Sequence, residues 1–271
     1  MAAIFTDSLQ ALFPHWRLGH REITWLWLNL QSRGAASYLG NFGTRAMRDG
    51  MANCINQWGL AAEIDNQKSY MLLPEQMFNW IEKHGRQPTW LLRSVERVYT
   101  WLPTCPVDLI PRERLIALLD FWNEDKSIKQ FKLHELKAAW VRQQHDDKSF
   151  SWYANTGKEK QKCQIAWQWY QEHYQPHVRF ATEFSDMENI LEFLDVTNFS
   201  QEEKLYHLEQ IKKKFKAKQT KANRLGKTQT NISLPNTTRL QLDELARKER
   251  RTKTEVIELL IQHAHEQGMP K

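Results

Sequence analysis

The dominant pattern of this sequence is a set of apolar residues spaced three and four positions apart, in groups separated by prolines. Within residues 89–102, apolar side chains recur at Leu91, Val95, Val98 and Leu102. This spacing places them on one face of an α-helix, where they can pack against a core. A proline follows directly and ends the segment, because proline lacks the N–H group that continues a helix. We therefore predict a helix here.

The same pattern predicts an all-helical region over residues 1–210, which also holds all twelve tryptophans, between Trp16 and Trp169. Prolines suit the first turn of a helix and glycine suits its end, so Pro74 and Gly85 are taken to bound one helix. No convincing period-two alternation of a strand occurs in this region. The further predicted helices span residues 21–32, 44–59, 74–85, 111–122, 133–144, 158–174, 186–196 and 201–216.

Positive charge is concentrated in one short segment of the chain. Residues 211–227 contain eight Lys or Arg and no acid, and residues 228–271 contain seven Lys or Arg and six acids. Because the whole chain carries +6, residues 1–210 carry a net charge of −3. Such a segment is usually a solvated linker, but beside an element that reads DNA it favours attraction to phosphate. We predict a basic linker or helix extension at 211–227.

An alternating segment follows the basic one. Within residues 228–234, Thr230, Ile232 and Leu234 share one face and polar residues share the other. Period-two alternation is typical of a β-strand, and Pro235 would end the strand because it cannot donate to a ladder. The sequence therefore predicts one short strand at this position.

Two amphipathic helices are predicted after the strand, at about 237–250 and 253–266. Asn236 is a natural N-cap for the first of them. Thr252 and Glu255 fit the capping-box pattern T-x-x-E at the start of the second. Residues 228–271 are thus predicted to form a β-α-α domain, and the fold class of the whole chain is mainly α.

A module of this size with a single strand predicts a dimer. The strand would have unpaired edges on both sides, and about 45 residues bury too little core to be stable alone. Two copies could pair their strands antiparallel over four packed helices, leaving a ribbon that fits the major groove. The predicted dimer core comprises Thr230, Ile232, Leu234, Leu242, Leu245, Val256, Ile257, Leu260 and Ile261.

On this order of elements, and on the run QTNISLP at residues 229–235, the C-terminal segment resembles the ribbon-helix-helix superfamily of the Arc, MetJ and CopG repressors. The resemblance covers about 40 residues, one-seventh of the chain. It implies that Gln229, Asn231 and Ser233 are the residues that read bases. Asn and Gln can bond adenine bidentately, whereas the short Ser233 reaches less far.

The resemblance also implies a phosphate clamp at the start of the second helix. There the backbone N–H groups of Thr252 to Thr254 would hold a phosphate between Arg251 and Lys253. The basic segment would add phosphate contacts of its own. Its predicted phosphate-binding residues are Lys212, Lys213, Lys214, Lys216, Lys218, Lys221, Arg224 and Lys227.

Residues 1–210 give little support for catalysis. They contain no H-E-x-x-H, G-x-S-x-G or P-loop motif. The three cysteines are far apart, which is typical of buried thiols and not of a disulfide framework or zinc site. The run WQWY at residues 167–170 could stack nucleic-acid bases, but the helical spacing of these aromatics favours a role in the core. We therefore predict no enzymatic activity, no cofactor and no metal.

The sequence predicts a sequence-specific DNA-binding protein that forms homodimers or higher oligomers. The first hypothesis is a transcriptional repressor, and the second is a chromosome or plasmid organiser that bridges DNA sites. The chromosome-terminus organiser MatP is similar in architecture only, since there too a helical domain precedes the module. The third hypothesis is a helical effector or toxin-like domain with a small autoregulatory or docking module. The absence of a long apolar segment and of a signal pattern predicts a cytoplasmic, nucleoid-associated protein without membrane partners.

Overall fold

The structure, a computed structural model, describes residues 7–98, 103–154, 157–179, 181–223 and 231–268. Within these ranges the chain forms thirteen α-helices and three short 3-10 segments, and it contains no β-strand. The prediction of a mainly α fold is confirmed. The chain divides into two compact units, Met1–Phe215 and Lys216–Lys271.

Unit 1 is a sequence of short and medium helices. The helices are α1 (Ser8–Leu12), α2 (His20–Ser32), α3 (Arg45–Gln57), α4 (Ala61–Met71), α5 (Arg86–Glu96), α6 (Pro111–Phe121), α7 (Lys126–Asp147), α8 (Glu159–His173), α9 (Gln175–Val178), α10 (Met187–Val196) and α11 (Gln201–Asn223), whose last residues belong to unit 2. Unit 2 also contains α12 (Asn236–Lys248) and α13 (Lys253–Gln267).

The first apolar cluster of unit 1 joins helices α1 to α4. Trp25, Leu26 and Leu30 of α2 are fully buried in it, as are Met51 and Ile55 of α3. Leu26 and Leu30 are four residues apart, as are Met51 and Ile55, so each pair lies on one face of its helix, as expected of helices that pack on a common core. The burial of large apolar side chains is the main force that holds these helices together.

A second cluster builds on the opposite face of α2. Leu28 points into it, together with Phe78, Leu91 of α5, Leu115 of α6 and Leu133 of α7. Because α2 contributes residues to both clusters, it lies between them in the N-terminal part of unit 1. This position explains why the middle of its sequence holds two Trp-Leu pairs in a row, at residues 25–28.

A third cluster is formed by α8, α10, α11 and the segments between them. Cys163 and Tyr170 of α8, Ile190 of α10, and Leu208 and Ile211 of α11 are buried in it. Several aromatic pairs of this cluster pack edge to face, a preferred arrangement for aromatic rings. The interpretation of the WQWY segment as core is thus confirmed for Trp169 and Tyr170.

A buried ionic network links α5, α7 and α10. The Arg86 guanidinium donates to Asp195 over 2.6 and 2.8 Å and to Asp147 over 2.5 and 3.1 Å. All three residues are buried. The guanidinium also lies 5.5 Å from the centre of the Trp140 ring. A single cation shared by two carboxylates joins elements more than 60 residues apart.

A second buried network lies at the end of α6. Arg21 donates to both carboxylate oxygens of Asp120 over 2.6 Å, and the Lys129 ammonium donates to the carbonyls of Asp120 (3.0 Å) and Met71 (2.8 Å). Burial lowers the pKa of Lys129 to about 8, although the nearby Asp120 carboxylate opposes that shift. The network fixes α2, α4, α6 and α7 to one another.

Most of the predicted helices of unit 1 occur within a few residues of their predicted bounds, but the one at 74–85 is wrong. Only the 3-10 segment Glu75–Phe78 forms there. Gly85, with φ +95°, does not end a helix; it immediately precedes α5. Pro88 lies in the first turn of α5, where its missing N–H costs nothing. The short α1 and the weakly amphipathic α4 were not predicted.

The predicted ribbon-helix-helix module is also wrong. Asn231 to Pro235, the described part of the predicted strand, have no strand hydrogen bonds, and Ile232 is 60% exposed. Alternation makes a segment suitable for a strand, but a strand exists only where a second segment supplies the ladder. No such segment lies beside it within the described residues. The resemblance to the ribbon-helix-helix superfamily is therefore overturned, and with it the β-α-α domain.

Candidate nucleic-acid interface

The described lysines of the basic segment lie on α11. Lys213, Lys216, Lys218 and Lys221 are exposed, and no ion pair is described for any of them. In a helix with 3.6 residues per turn, Lys213 and Lys216 lie on one side and Lys218 and Lys221 on another. Their ammonium groups therefore remain available to external anions.

Two lysines of the same segment have acidic partners within the chain. Lys212 donates to Glu209 over 2.7 Å, one helical turn before it. Lys214 donates to both oxygens of Glu172 on α8 over 2.6 and 2.7 Å, and this contact lowers the pKa of Glu172. Such exposed pairs contribute little to stability, but they reduce the charge presented to solvent. Arg224 and Lys227 lie outside the described residues.

A tight turn joins α12 and α13. Arg250 adopts φ +53°, the left-handed conformation. Its N–H donates to the Arg247 carbonyl over 3.2 Å, and the Arg251 N–H donates to the Ala246 carbonyl over 3.0 Å. These two bonds form the Schellman motif that satisfies the last carbonyls of a helix. Glycine usually occupies the left-handed position, so this turn carries strain at Arg250.

The predicted capping box at the start of α13 is present. The Thr252 hydroxyl accepts from the Glu255 N–H over 3.3 Å, and the Glu255 carboxylate accepts from the Thr252 N–H over 2.7 Å. The same carboxylate accepts the Thr252 hydroxyl proton over 2.9 Å. An acid therefore already occupies part of the predicted phosphate clamp. A phosphate at Thr252 to Thr254 would have to displace or approach this negative group.

The remaining clamp residues are only partly available. Lys253 forms an ion pair with Asp243 of α12, and this contact lowers the pKa of the Asp243 carboxyl. Thr254 and Arg251 are exposed.

The first helix of the pair, α12, begins at Asn236 itself, so Asn236 is not the N-cap that was predicted.

The predicted dimer-core residues of α12 and α13 differ in how deeply they are buried. Leu242 and Val256 are buried between the two helices. Ile257 is half-buried, whereas Leu260 and Ile261 are 52% and 62% exposed. Ile257, Leu260, Ile261 and Ala264 follow the i, i+3, i+4, i+7 spacing and form one apolar stripe along α13. Leu245 on α12 is also exposed.

The predicted base-reading residues are not brought together as a ribbon. Asn231 and Ser233 are exposed on a segment that forms no strand, where they alternate with the exposed Ile232 and the 39% exposed Leu234. Gln229 and Thr230 lie outside the described residues.

Sequence reasoning missed the acidic partners of the basic segment. The Glu209–Lys212 pair has a local signal, the i, i+3 spacing on a helix. Glu172 is 42 residues from Lys214, so no sequence pattern indicates that pair. The ordinary helix rules could have found the first and not the second.

The described residues also bear on the other predicted features. None of their helices is both long and apolar enough to cross a membrane. Cys54, Cys105 and Cys163 are buried and form no disulfide, and burial raises the pKa of each thiol. Comparison of the chain with known protein families, with curated proteins and with solved structures finds no match.

Proposed function

We propose that this protein binds double-stranded DNA through the basic segment 211–227. The observation that carries the proposal is the uneven charge of the chain: eight cations and no acid in 17 residues, after 210 residues with a net charge of −3. Lysines that contact phosphates release the counterions condensed on DNA, which supplies binding energy without reading the sequence.

Four exposed lysines of α11 support the proposal. Lys213, Lys216, Lys218 and Lys221 have no described ion pair, so a phosphate would not compete with an acid of this chain. Lys212 and Lys214 would first have to leave Glu209 and Glu172. The four exposed lysines should therefore dominate the electrostatic contact with DNA.

Self-association belongs to the same proposal. Unit 2 buries few large apolar side chains, while Leu260 and Ile261 of the α13 stripe remain more than half exposed. A second copy could cover this stripe by packing α13 against α13. Each homodimer would then carry two basic segments, which doubles the number of phosphate contacts and strengthens binding by avidity.

The biological role follows from the number of DNA sites. A repressor would act at a few dispersed sites, and an organiser of a chromosome or plasmid would act at many sites in one region. The repressor hypothesis depended on a base-reading ribbon, and the described residues form no such ribbon. The proposal is therefore limited to DNA binding through phosphates. Sequencing of genomic fragments that the purified full chain retains would separate the two roles.

A gel-shift titration of a random-sequence 30-base-pair duplex tests the proposal. The variant with Lys213, Lys216, Lys218 and Lys221 all changed to Ala should bind at least about tenfold more weakly than the natural chain at low salt. Equal affinity of the two proteins, or no binding by the natural chain, would contradict the proposal.

A matched control separates this local effect from a change in net charge. The variant Lys83→Ala, Lys137→Ala, Lys148→Ala and Lys160→Ala removes the same number of exposed charges from unit 1. It should retain the affinity of the natural chain. If both variants lose affinity equally, the contact depends on total charge and not on the basic segment.

A further inference from the structure

A cavity of about 540 Å³ lies in unit 1 between α5 and α10. Its volume falls within the range of small-molecule sites in proteins, 300–1,000 Å³. Trp90 of α5, Phe184, and Phe193 and Val196 of α10 line one part of it. Flat and branched apolar side chains of this kind form a wall suited to an apolar group of a ligand.

Two oppositely charged side chains also line the cavity from facing helices. Arg93 comes from α5 and is half-buried, and Glu192 comes from α10 and is exposed. No ion pair is described between them or from either of them to another residue. An arginine offers a planar set of donors suited to a carboxylate, and a glutamate accepts from an ammonium group.

The other charged groups of the cavity are already engaged. Arg86 and Asp195 are bound to each other, and Arg86 also binds Asp147. The His177 ring lies 4.9 Å from the ring of Phe199 and packs on the aromatic cluster. Arg93 and Glu192 are therefore the charges left for a ligand, one of each sign.

We propose that this cavity binds an α-amino acid with a large apolar side chain. Arg93 would hold the carboxylate, Glu192 would hold the ammonium group, and the side chain would lie against Trp90, Phe184 and Phe193. A doubly charged anion such as phosphate fits less well, because Glu192 would repel it. An amine without a carboxylate would leave Arg93 without a partner. The proposal is independent of DNA binding.

Calorimetric titration of the full chain with L-phenylalanine, L-tryptophan and L-leucine tests the proposal. At least one of them should bind, and Arg93→Met should weaken that binding by about tenfold or more, the effect of losing a charged hydrogen bond. Absence of binding by all three amino acids up to about 10 mM would overturn the proposal. Unchanged affinity of Arg93→Met would also overturn it.

Two ligand analogues test the role of each charge. 3-Phenylpropionate lacks the amine and phenethylamine lacks the carboxylate. The variant Glu192→Gln should weaken the binding of L-phenylalanine but not of 3-phenylpropionate, and Arg93→Met should not weaken the binding of phenethylamine. Weakening of all ligands alike would mean that the charges do not recognise the two groups and would refute the assignment.

A control variant guards against a general loss of structure. Arg142→Met removes an exposed arginine of α7 that does not line the cavity. It should bind as the natural chain does. Thermal melts by circular dichroism should show that Arg93→Met and Glu192→Gln unfold at the temperature of the natural chain, because neither side chain makes a described ion pair.

Discussion

Replacement of Arg86 by methionine should destabilise unit 1 more than removal of an ordinary ion pair. The guanidinium makes four hydrogen bonds of 2.5–3.1 Å to Asp147 and Asp195. Without it, the carboxylates of two buried residues lose the cation they share. Breaking a buried ion pair by removing one partner typically costs about 3–5 kcal/mol, because a buried charge is left uncompensated.

Urea unfolding at pH 7, followed by tryptophan fluorescence and circular dichroism, measures this loss. All twelve tryptophans lie in residues 1–210, so the fluorescence signal reports unit 1. Arg142→Met is the matched control and should change the free energy of unfolding by less than about 0.5 kcal/mol, as exposed substitutions do. A loss below about 1 kcal/mol for Arg86→Met would refute the reasoning, since that is the value of a solvated surface pair.

Acid should partly rescue the Arg86→Met protein. Burial already raises the pKa of Asp195 in the natural chain, and the arginine is the main group that opposes this shift; without it only the weaker attraction of Lys204 lowers the pKa. A carboxyl whose folded-state pKa is raised binds more protons when folded, so lowering the pH favours the folded state. The deficit of the variant relative to the natural chain should therefore shrink below about pH 5. A deficit that grows in acid would contradict the assignment.

Three further predictions concern separate parts of the chain. Arg250→Gly should stabilise the α12–α13 hairpin by about 0.5–1 kcal/mol, because glycine adopts the left-handed conformation without the Cβ clash; a urea midpoint that falls would contradict this. Burial lowers the pKa of His207, whose ring nitrogen lies 2.8 Å from the Tyr174 hydroxyl. The unfolded histidine titrates near 6.5, so the stability that His207 contributes is present above that pH and is lost as the pH falls. The variant His207→Gln should remove this part of the pH dependence of urea unfolding. The double change Leu260→Lys and Ile261→Lys should shift the protein to a monomer in sedimentation equilibrium, whereas Gln262→Lys, on the other side of α13, should not; a double variant that stays dimeric would place the interface elsewhere.

Local signals in the sequence predicted the helices well where a proline or a capping box marks the first turn. Pro111 begins α6 as expected, and Thr252 with Glu255 caps α13 as the T-x-x-E pattern predicts. Gly85 was misinterpreted because glycine with positive φ suits both the residue after a helix and the residue before one. Only packing decides between these uses, and packing is not visible in a local pattern.

Long-range features could not be predicted from the sequence. Arg86 contacts acids 61 and 109 residues away, and Lys214 contacts an acid 42 residues before it. The prediction of a strand at 228–234 failed for the same reason, because strand formation depends on a pairing partner elsewhere in the chain and not on alternation alone. The charge of the basic segment, by contrast, is a property of the sequence itself and was predicted without the fold.

The salt dependence of DNA binding shows whether the basic segment contacts phosphates. Fluorescence anisotropy of a labelled 30-base-pair duplex should show log K falling linearly with log salt, with a slope of about −0.9 for each phosphate contacted. The variant lacking Lys213, Lys216, Lys218 and Lys221 should have a shallower slope, by up to about 3–4 for each chain that contacts DNA. The same slope in both proteins, or an affinity of the natural chain that does not change with salt, would contradict binding through the basic segment.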